Sequence, residues 1–247
     1  MESYVKVNFL NKAATVEFYH PKSNALNSSM LEELALEIKK LGLRDDLNVI
    51  ALQSKGSVFC AGAFFDELLK IDDAVQGEAF FLGFAKVILA IKTAKALVLT
   101  KVQGKAVGGA VGVIAASDYI IASNEAKIRL SELTIGIGPF VISPVIKSKI
   151  TNSSFMHLAL NPKLWFDAEW CMKNSLINQK VSHSELDFEF EQKVEELSLY
   201  STEAIQGLKS EEKLGALEFE MNRLASVSGE LVTSDETKRI LKTFIER

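Results

Sequence analysis

The stretch that most restricts how this chain can fold runs from Val102 to Glu132. Residues 98–102 just before it are short, apolar and β-branched, the composition of a buried strand. Gly108 and Gly109 follow, and residues 110–116 are continuously apolar, which predicts a buried helix. Two glycines at a strand-to-helix junction leave the backbone bare, so a ligand can approach amides that point outward at a helix N-terminus. Close helix packing is the competing reason for such a pair. Short strands are expected at 119–122 and 127–130, with Asp118 closing the helix before them and Glu132 in the turn after them.

An earlier segment repeats the design. Phe59-Cys60-Ala61-Gly62-Ala63 follows a predicted strand at 49–53 and precedes a helix expected from Phe64. Two small-residue loops set side by side can aim two backbone amides at one oxygen, the geometry of an oxyanion hole.

Ala61-Gly62-Ala63, the run from Gly104 to Gly109, Ser117-Asp118-Tyr119 and Leu130-Ser131-Glu132 occur in an order and at a spacing that resemble the crotonase (enoyl-CoA hydratase/isomerase) superfamily. The resemblance extends from His20-Pro21-Lys22 to the final Phe244-Ile245-Glu246-Arg247. It implies an α/β fold: a crotonase-like ββα superhelix over residues 1–183 that carries the acyl-CoA site, then a C-terminal helical trimerisation region over 184–247. It implies a homotrimer or homohexamer, and no cofactor besides the coenzyme A of the substrate. In its terms Glu132 is the catalytic acid/base, and the amides of Ala63 and Gly109 hold the thioester oxygen. Ala61, Gly62, Ala63, Phe64, Gly108 and Gly109 contact the bound thioester. Lys22 lies near the CoA phosphates, and Phe244 and Arg247 near a neighbour's adenine. A solvated loop lysine is the competing role for Lys22. Where the family often has Asp and a basic residue after Ala63, this chain has Phe64, Phe65, Asp66 and Glu67, which adds two rings near the acyl or pantetheine path and no cation. Core packing competes for those rings.

Composition agrees. The chain has 247 residues, 48% of them hydrophobic, enough for a large core. Its net charge of −4 offers no basic surface for nucleic acid. Cys60 and Cys171 make no disulfide framework, and His20, His157 and His183 are scattered, so no metal site is expected. The opening Met1-Glu2-Ser3 has no secretory pattern, and the most apolar run, 106–116, is too short for a bilayer. A soluble, cytoplasmic protein is expected, with no membrane or nucleic-acid partner.

The remaining elements follow from periodicity. Residues 4–10 and 14–19 alternate around Asn11-Lys12 as a hairpin. Asn27 or Ser28 can cap a helix, and 72–95 should be helical with a wide apolar face that includes Phe80, Phe81 and Phe84. Gly136, Gly138 and Pro139 predict a loop near the reacting carbons, lined by Ile137, Phe140 and Val141. Short helices are expected at 144–150, 153–160 and 167–174. Beyond Ser184, which opens a capping-box-like Ser184…Asp187, only helices are expected, with apolar faces that include Phe190, Met221 and Leu241 and exceed what one layer needs.

The chemistry implied by the resemblance is enolate formation beside a thioester carbonyl held by two amides. Typical hydratases of the family use two glutamates. The second is Glu132; the first falls on Gly112, and Glu125 lies in the wrong loop to replace it. Three readings follow: an enoyl-CoA hydratase or 3-hydroxyacyl-CoA dehydratase using Glu132 and a positioned water; a Δ3-Δ2-enoyl-CoA isomerase using Glu132 alone; a non-catalytic acyl-CoA-binding relative. The hydratase is preferred. Leu130-Ser131-Glu132 with the following Pro139–Pro144 run is also similar to bacterial members assigned as methylglutaconyl-CoA hydratases. A carboxylated acyl chain would require a cation in the pocket, and the sequence alone places none. A side chain at Gly109 is expected to crowd the thioester without harming the fold, and a glutamate at Gly112 to supply the missing group.

Overall fold

The computed structural model describes residues 2–210 and 215–245, with only the backbone of Ser210, Phe244 and Ile245. Strands β1 (Tyr4–Leu10) and β2 (Ala13–Tyr19) form the expected antiparallel hairpin, Tyr4 opposite Tyr19 and Leu10 opposite Ala13. Helix α1 (Ser28–Gly42) starts at Asn27, whose Oδ1 accepts from the Met30 amide at 2.9 Å. Then β3 (Val49–Ser54) and β4 (Val58–Cys60) lead to the single-turn α2 (Phe65–Leu68) and the long α3 (Ala74–Thr93). Next come β5 (Leu97–Val102), β6 (Lys105–Val107) and α4 (Gly109–Ala116), then β7 (Tyr119–Ser123), β8 (Lys127–Arg129) and a 3-10 turn, Glu132–Ile135. Helices α5 (Ser143–Lys149) and α6 (Asn152–Leu160), strand β9 (Phe166–Asp167), α7 (Ala168–Lys173) and β10 (Gln179–Val181) complete the mixed part. Helices α8 (Leu186–Ser198), α9 (Thr202–Ser210), α10 (Gly215–Val232) and α11 (Asp235–Ile245) follow it.

The strands divide between two sheets in alternation. One holds β1-β2-β3-β5-β7-β10, the other β4-β6-β8-β9. In each unit the first strand joins the large sheet, the second joins the small sheet, and a helix follows: β3-β4-α2, β5-β6-α4, β7-β8 and the 3-10 turn. This is the expected ββα repeat, and all its neighbouring strands run parallel. Strands covered on both faces need apolar residues at nearly every position, and β3, β5 and β7 have them. Val49, Ala51, Leu99 and Ile121 pack under Leu186 and Phe190 of α8, while Ile50, Leu52, Val98 and Ile120 face the main core with α1, α3 and α4.

Two expectations change. The Ser184 capping box does not form: Glu185 precedes α8 without a side-chain cap, because Ser182 Oγ takes up its carboxylate at 2.5 Å. Helix α3, at 20 residues and mean hydropathy 1.6, is by itself long and apolar enough to cross a membrane, unlike 106–116. Half of its most apolar window is buried inside the fold. The last helices bury Phe190, Met221, Leu224 and Leu241 within the protomer and leave Phe188, Leu208 and Phe219 exposed.

Helix α10 crosses α3 at two glycines. A Cβ on Gly229 would lie 2.4 Å from the Glu78 amide nitrogen, and one on Gly77 would lie 2.8 Å from the Gly229 carbonyl. The two backbones therefore touch. Helix α11 then reaches the 3-10 turn: Thr237, almost fully buried, donates through Oγ1 to the Gly136 carbonyl at 3.0 Å. Lys238 Nζ donates to the Ile71 carbonyl ahead of α3.

Candidate active site

Strands β4, β6 and β8 run parallel, so their C-terminal ends share one edge of the small sheet, where three loops converge. Loops at that edge are the usual ligand site of parallel sheets. The first loop, 61–63, is pinned from both sides. The Ala61 amide donates to Ser23 O (3.0 Å), Leu26 N to Gly62 O (2.8 Å) and Phe64 N to Leu26 O (2.9 Å). Buried Asn24 donates to the Lys55 and Val58 carbonyls, and buried Gln103 to those of Ser54, Gly56 and Val58, fixing the turn that feeds β4. Gly62, at φ +87°, lies against the second loop: a Cβ there would stand 2.6 Å from the Val107 carbonyl. The second loop turns at Gly108 (φ +58°), whose amide donates to Arg129 O, and α4 begins at Gly109. The pinning bonds use neither the Ala63 nor the Gly109 amide. Among the described residues no acceptor takes either one, which is what an oxyanion hole requires.

The third loop carries Glu132. Its carboxylate faces Gly108, where a Cβ would be 3.1 Å from Oε1, so only glycine fits both the positive φ and the space. The residue as a whole is half-buried, but Oε2 is fully buried with no hydrogen-bond partner. Burial raises its pKa from 4.5 to about 7, against a smaller downward pull from the backbone amides of Glu132 and Ser131. At neutral pH the group holds comparable amounts of both proton states, the condition that suits acid/base work.

These loops border a cavity of about 280 Å³, at the small end for ligand sites. Ala61, Gly62, Ala63, Gly108, Gly109 and Glu132 all line it, together with the expected Ile137, Phe140 and Val141. Sequence reasoning left out Phe81 and Phe84 of α3, Ser228 of α10, Ile142 and Arg129, which also line it. The apolar stripe of α3 held both phenylalanines but could not separate those facing the cavity. Ser228 arrives only through the α3–α10 crossing. Strand alternation offered one signal for Arg129: Ile128 turns to the core, so Arg129 shares the face of Val107.

Several expected positions lie apart. Phe65 lines the cavity but Phe64 does not; its ring meets His20 edge-on at 5.0 Å, with Lys22 Nζ 5.1 Å from its centroid. Lys22 pairs with Asp66 at 2.6 Å in an exposed contact outside the cavity. Arg247 lies outside the described residues, as does the side chain of Phe244.

Two expectations about the glycines are overturned. A Cβ on Gly109 would lie 2.3 Å from Cε1 of Phe84, which is 2% exposed and cannot withdraw, so a side chain there damages packing before it touches a thioester. A Cβ on Gly112 would lie 2.4 Å from Cγ2 of Ile142 and 3.1 Å from Cδ1 of Ile88. The position of the first family glutamate is thus filled by hydrocarbon. A glutamate there would have to expel Ile142 and bury a charge without a partner.

Comparison with known proteins agrees with this geometry. The family described as enoyl-CoA hydratase/isomerase matches residues 9–247. The bacillaene synthase dehydratase PksH of Bacillus subtilis is 26% identical over 64% of this chain and 62% of its own length. The short-chain-enoyl-CoA hydratase of Clostridium acetobutylicum is 27% identical over 71% of this chain and 67% of its own. A probable enoyl-CoA hydratase of Mycobacterium leprae is 32% identical over 47% of this chain and 44% of its own. The chain thus spans between about half and two thirds of these curated relatives. The enoyl-CoA hydratase structure from Bacillus halodurans superposes with TM-score 0.86 at 23% identity, covering 98% of this chain and all of that one, and an enoyl-CoA hydratase/isomerase from Pseudoalteromonas atlantica gives 0.85 at 19% identity, covering 98% and 96%. The match over nearly the whole sequence, on a fold and a loop edge of this kind, makes the chain a member of the enoyl-CoA hydratase/isomerase (crotonase) family.

Proposed function

We propose that the protein hydrates a short or branched enoyl-CoA, or dehydrates the corresponding 3-hydroxyacyl-CoA. The observation that carries this is Glu132 Oε2, buried without a partner on the same cavity as two unused amides. The thioester oxygen sits between the Ala63 and Gly109 amides, which stabilise the charge it gains as C2 becomes nucleophilic. Ionised Glu132 takes a proton from water as the water oxygen bonds to C3, and the protonated carboxyl then returns a proton to C2. In dehydration the same steps reverse. Relatives named as hydratases and as a dehydratase support this reading. Ala61, Gly62 and Gly108 would flank the thioester and pantetheine, and Lys22 would exchange Asp66 for a CoA phosphate. Such an exposed pair is worth at most about 1 kcal/mol and yields readily. The chain would act as a homotrimer or homohexamer. Light scattering of a monomer at micromolar concentration would remove that part.

The wall at Gly112 supports a second reading. With Ile142 in place of a second carboxylate, no other acidic side chain among the described residues lines the cavity to hold a water, and one carboxylate suffices to move a proton from C2 to C4 in a Δ3-Δ2-enoyl-CoA isomerase. The absorbance of the conjugated thioester separates the two. Loss with crotonyl-CoA identifies hydration, and gain with a 3-enoyl-CoA alone leaves only the isomerase. No change with either substrate, in a protein that still binds acyl-CoA, leaves the non-catalytic binder.

A further inference from the structure

Among the described residues the cavity beside Glu132 has one cationic side chain on its wall. Arg129, at the end of β8, lines it together with Ser131 and Glu132. Among the described residues Glu132 is the only other ionisable side chain on its wall. The guanidinium lies over the Trp165 ring, with its carbon 4.3 Å from the centroid, and Lys105 approaches the same ring at 5.2 Å. An aromatic face holds a cation in place but does not neutralise it. Arg129 Nε is buried with no hydrogen-bond partner, and among the described residues no carboxylate pairs with the side chain. Nor is its charge spent on Glu132, whose proton affinity is set by burial and by two backbone amides.

A buried N–H left unmet on a charged group is costly, and structures keep such groups where an acceptor arrives. The acceptor that suits a planar, forked donor is a carboxylate. The apolar remainder of the wall, from Phe81, Phe84, Phe140 and Ile142, would hold a short hydrocarbon span. We propose that Arg129 binds a carboxylate carried by the acyl group, so that the preferred thioester is that of a short dicarboxylic acid. This rests on the cavity being an acyl-CoA site, as proposed above, and supplies the cation that the sequence alone did not place.

The test compares glutaryl-CoA with pentanoyl-CoA, equal in carbon number, as inhibitors whose affinities are read directly by calorimetry. The parent should bind glutaryl-CoA at least tenfold more tightly, since hydrogen bonds to charged groups are worth roughly ten- to a hundredfold. Arg129→Met should bring the ratio near one, and Arg129→Lys should keep part of the preference. A parent without preference overturns the proposal whatever the variants do. So does an Arg129→Met variant that weakens for both inhibitors alike while light scattering shows a smaller assembly, because the arginine then serves a contact between subunits. Parent turnover of crotonyl-CoA reports the underlying acyl-CoA reading separately. Turnover without glutaryl preference sinks only the role of Arg129. A parent that neither turns over crotonyl-CoA nor binds either inhibitor sinks the acyl-CoA reading.

Discussion

Gly108 and Gly112 stand one helical turn apart at the start of α4, and each lacks a side chain for a different reason. Gly108 is held at φ +58° and leaves room for the Glu132 carboxylate. Gly112 lies in ordinary helix, and its missing side chain is replaced by Ile142, which is 1% exposed. One glycine keeps a polar group in an unsatisfied, reactive setting. The other seals an apolar wall. The difference teaches that the loss of a carboxylate here is a packed arrangement and not a gap, since the neighbouring chain has closed over the place.

The strongest way to break this contrast is Glu132→Gln. General acid/base catalysis is typically worth about 10²–10⁴-fold, so turnover should fall by about that much while acyl-CoA affinity, measured by calorimetry, persists. An unchanged rate would make the two glycines equivalent. The parent's kcat/KM for hydration should also decline as pH falls through about 7, because the base must be ionised.

The same variant sharpens the contrast through stability. The folded-state pKa of about 7 lies above the ordinary 4.5, so the folded chain holds this proton more tightly than the unfolded one. The stability linked to that proton is fully present below about pH 4.5 and is lost as pH climbs through 7. Glutamine carries no charge to bury, so Glu132→Gln should be more stable than the parent at pH 8 by about 3 kcal/mol and nearly equal to it at pH 4.5, read from urea unfolding.

On the sealed side, Gly112→Ala should cost about 1–3 kcal/mol by overpacking against Ile142, and Gly109→Ala a similar amount against Phe84. Denaturation midpoints would show it, and a neutral Gly112→Ala would mean that Ile142 yields and the wall is soft. The smallest effect belongs to Thr237→Val. It removes the bond to the Gly136 carbonyl, about 1 kcal/mol, and should raise KM for acyl-CoA by a few fold.

The hairpin, the helix after Gly109 and the turn at Glu132 were legible because each is written in neighbouring residues. The small sheet was less so. Its strands 58–60, 105–107 and 166–167 are two or three residues long, too short for any period to show. The Ala63 and Gly109 amides could be named from their motifs, whereas the bonds that fix them come from Asn24 and Gln103, polar residues with no local pattern. Ile142 against Gly112 and Ser228 in the cavity arise from segments brought together by the fold, and no window of sequence contains both members of either pair.

The hydrogen bond from Thr237 to Gly136 joins residues 101 positions apart, and the one from Lys238 to Ile71 spans 167. Contacts of such separation carry a large loop-closure cost before they return any energy, and they slow folding. The turn that bears Glu132 therefore lacks its bond from Thr237 until α11 has docked. During synthesis α11 is the last described helix to emerge, and a chain that still lacks it lacks this tie to the turn.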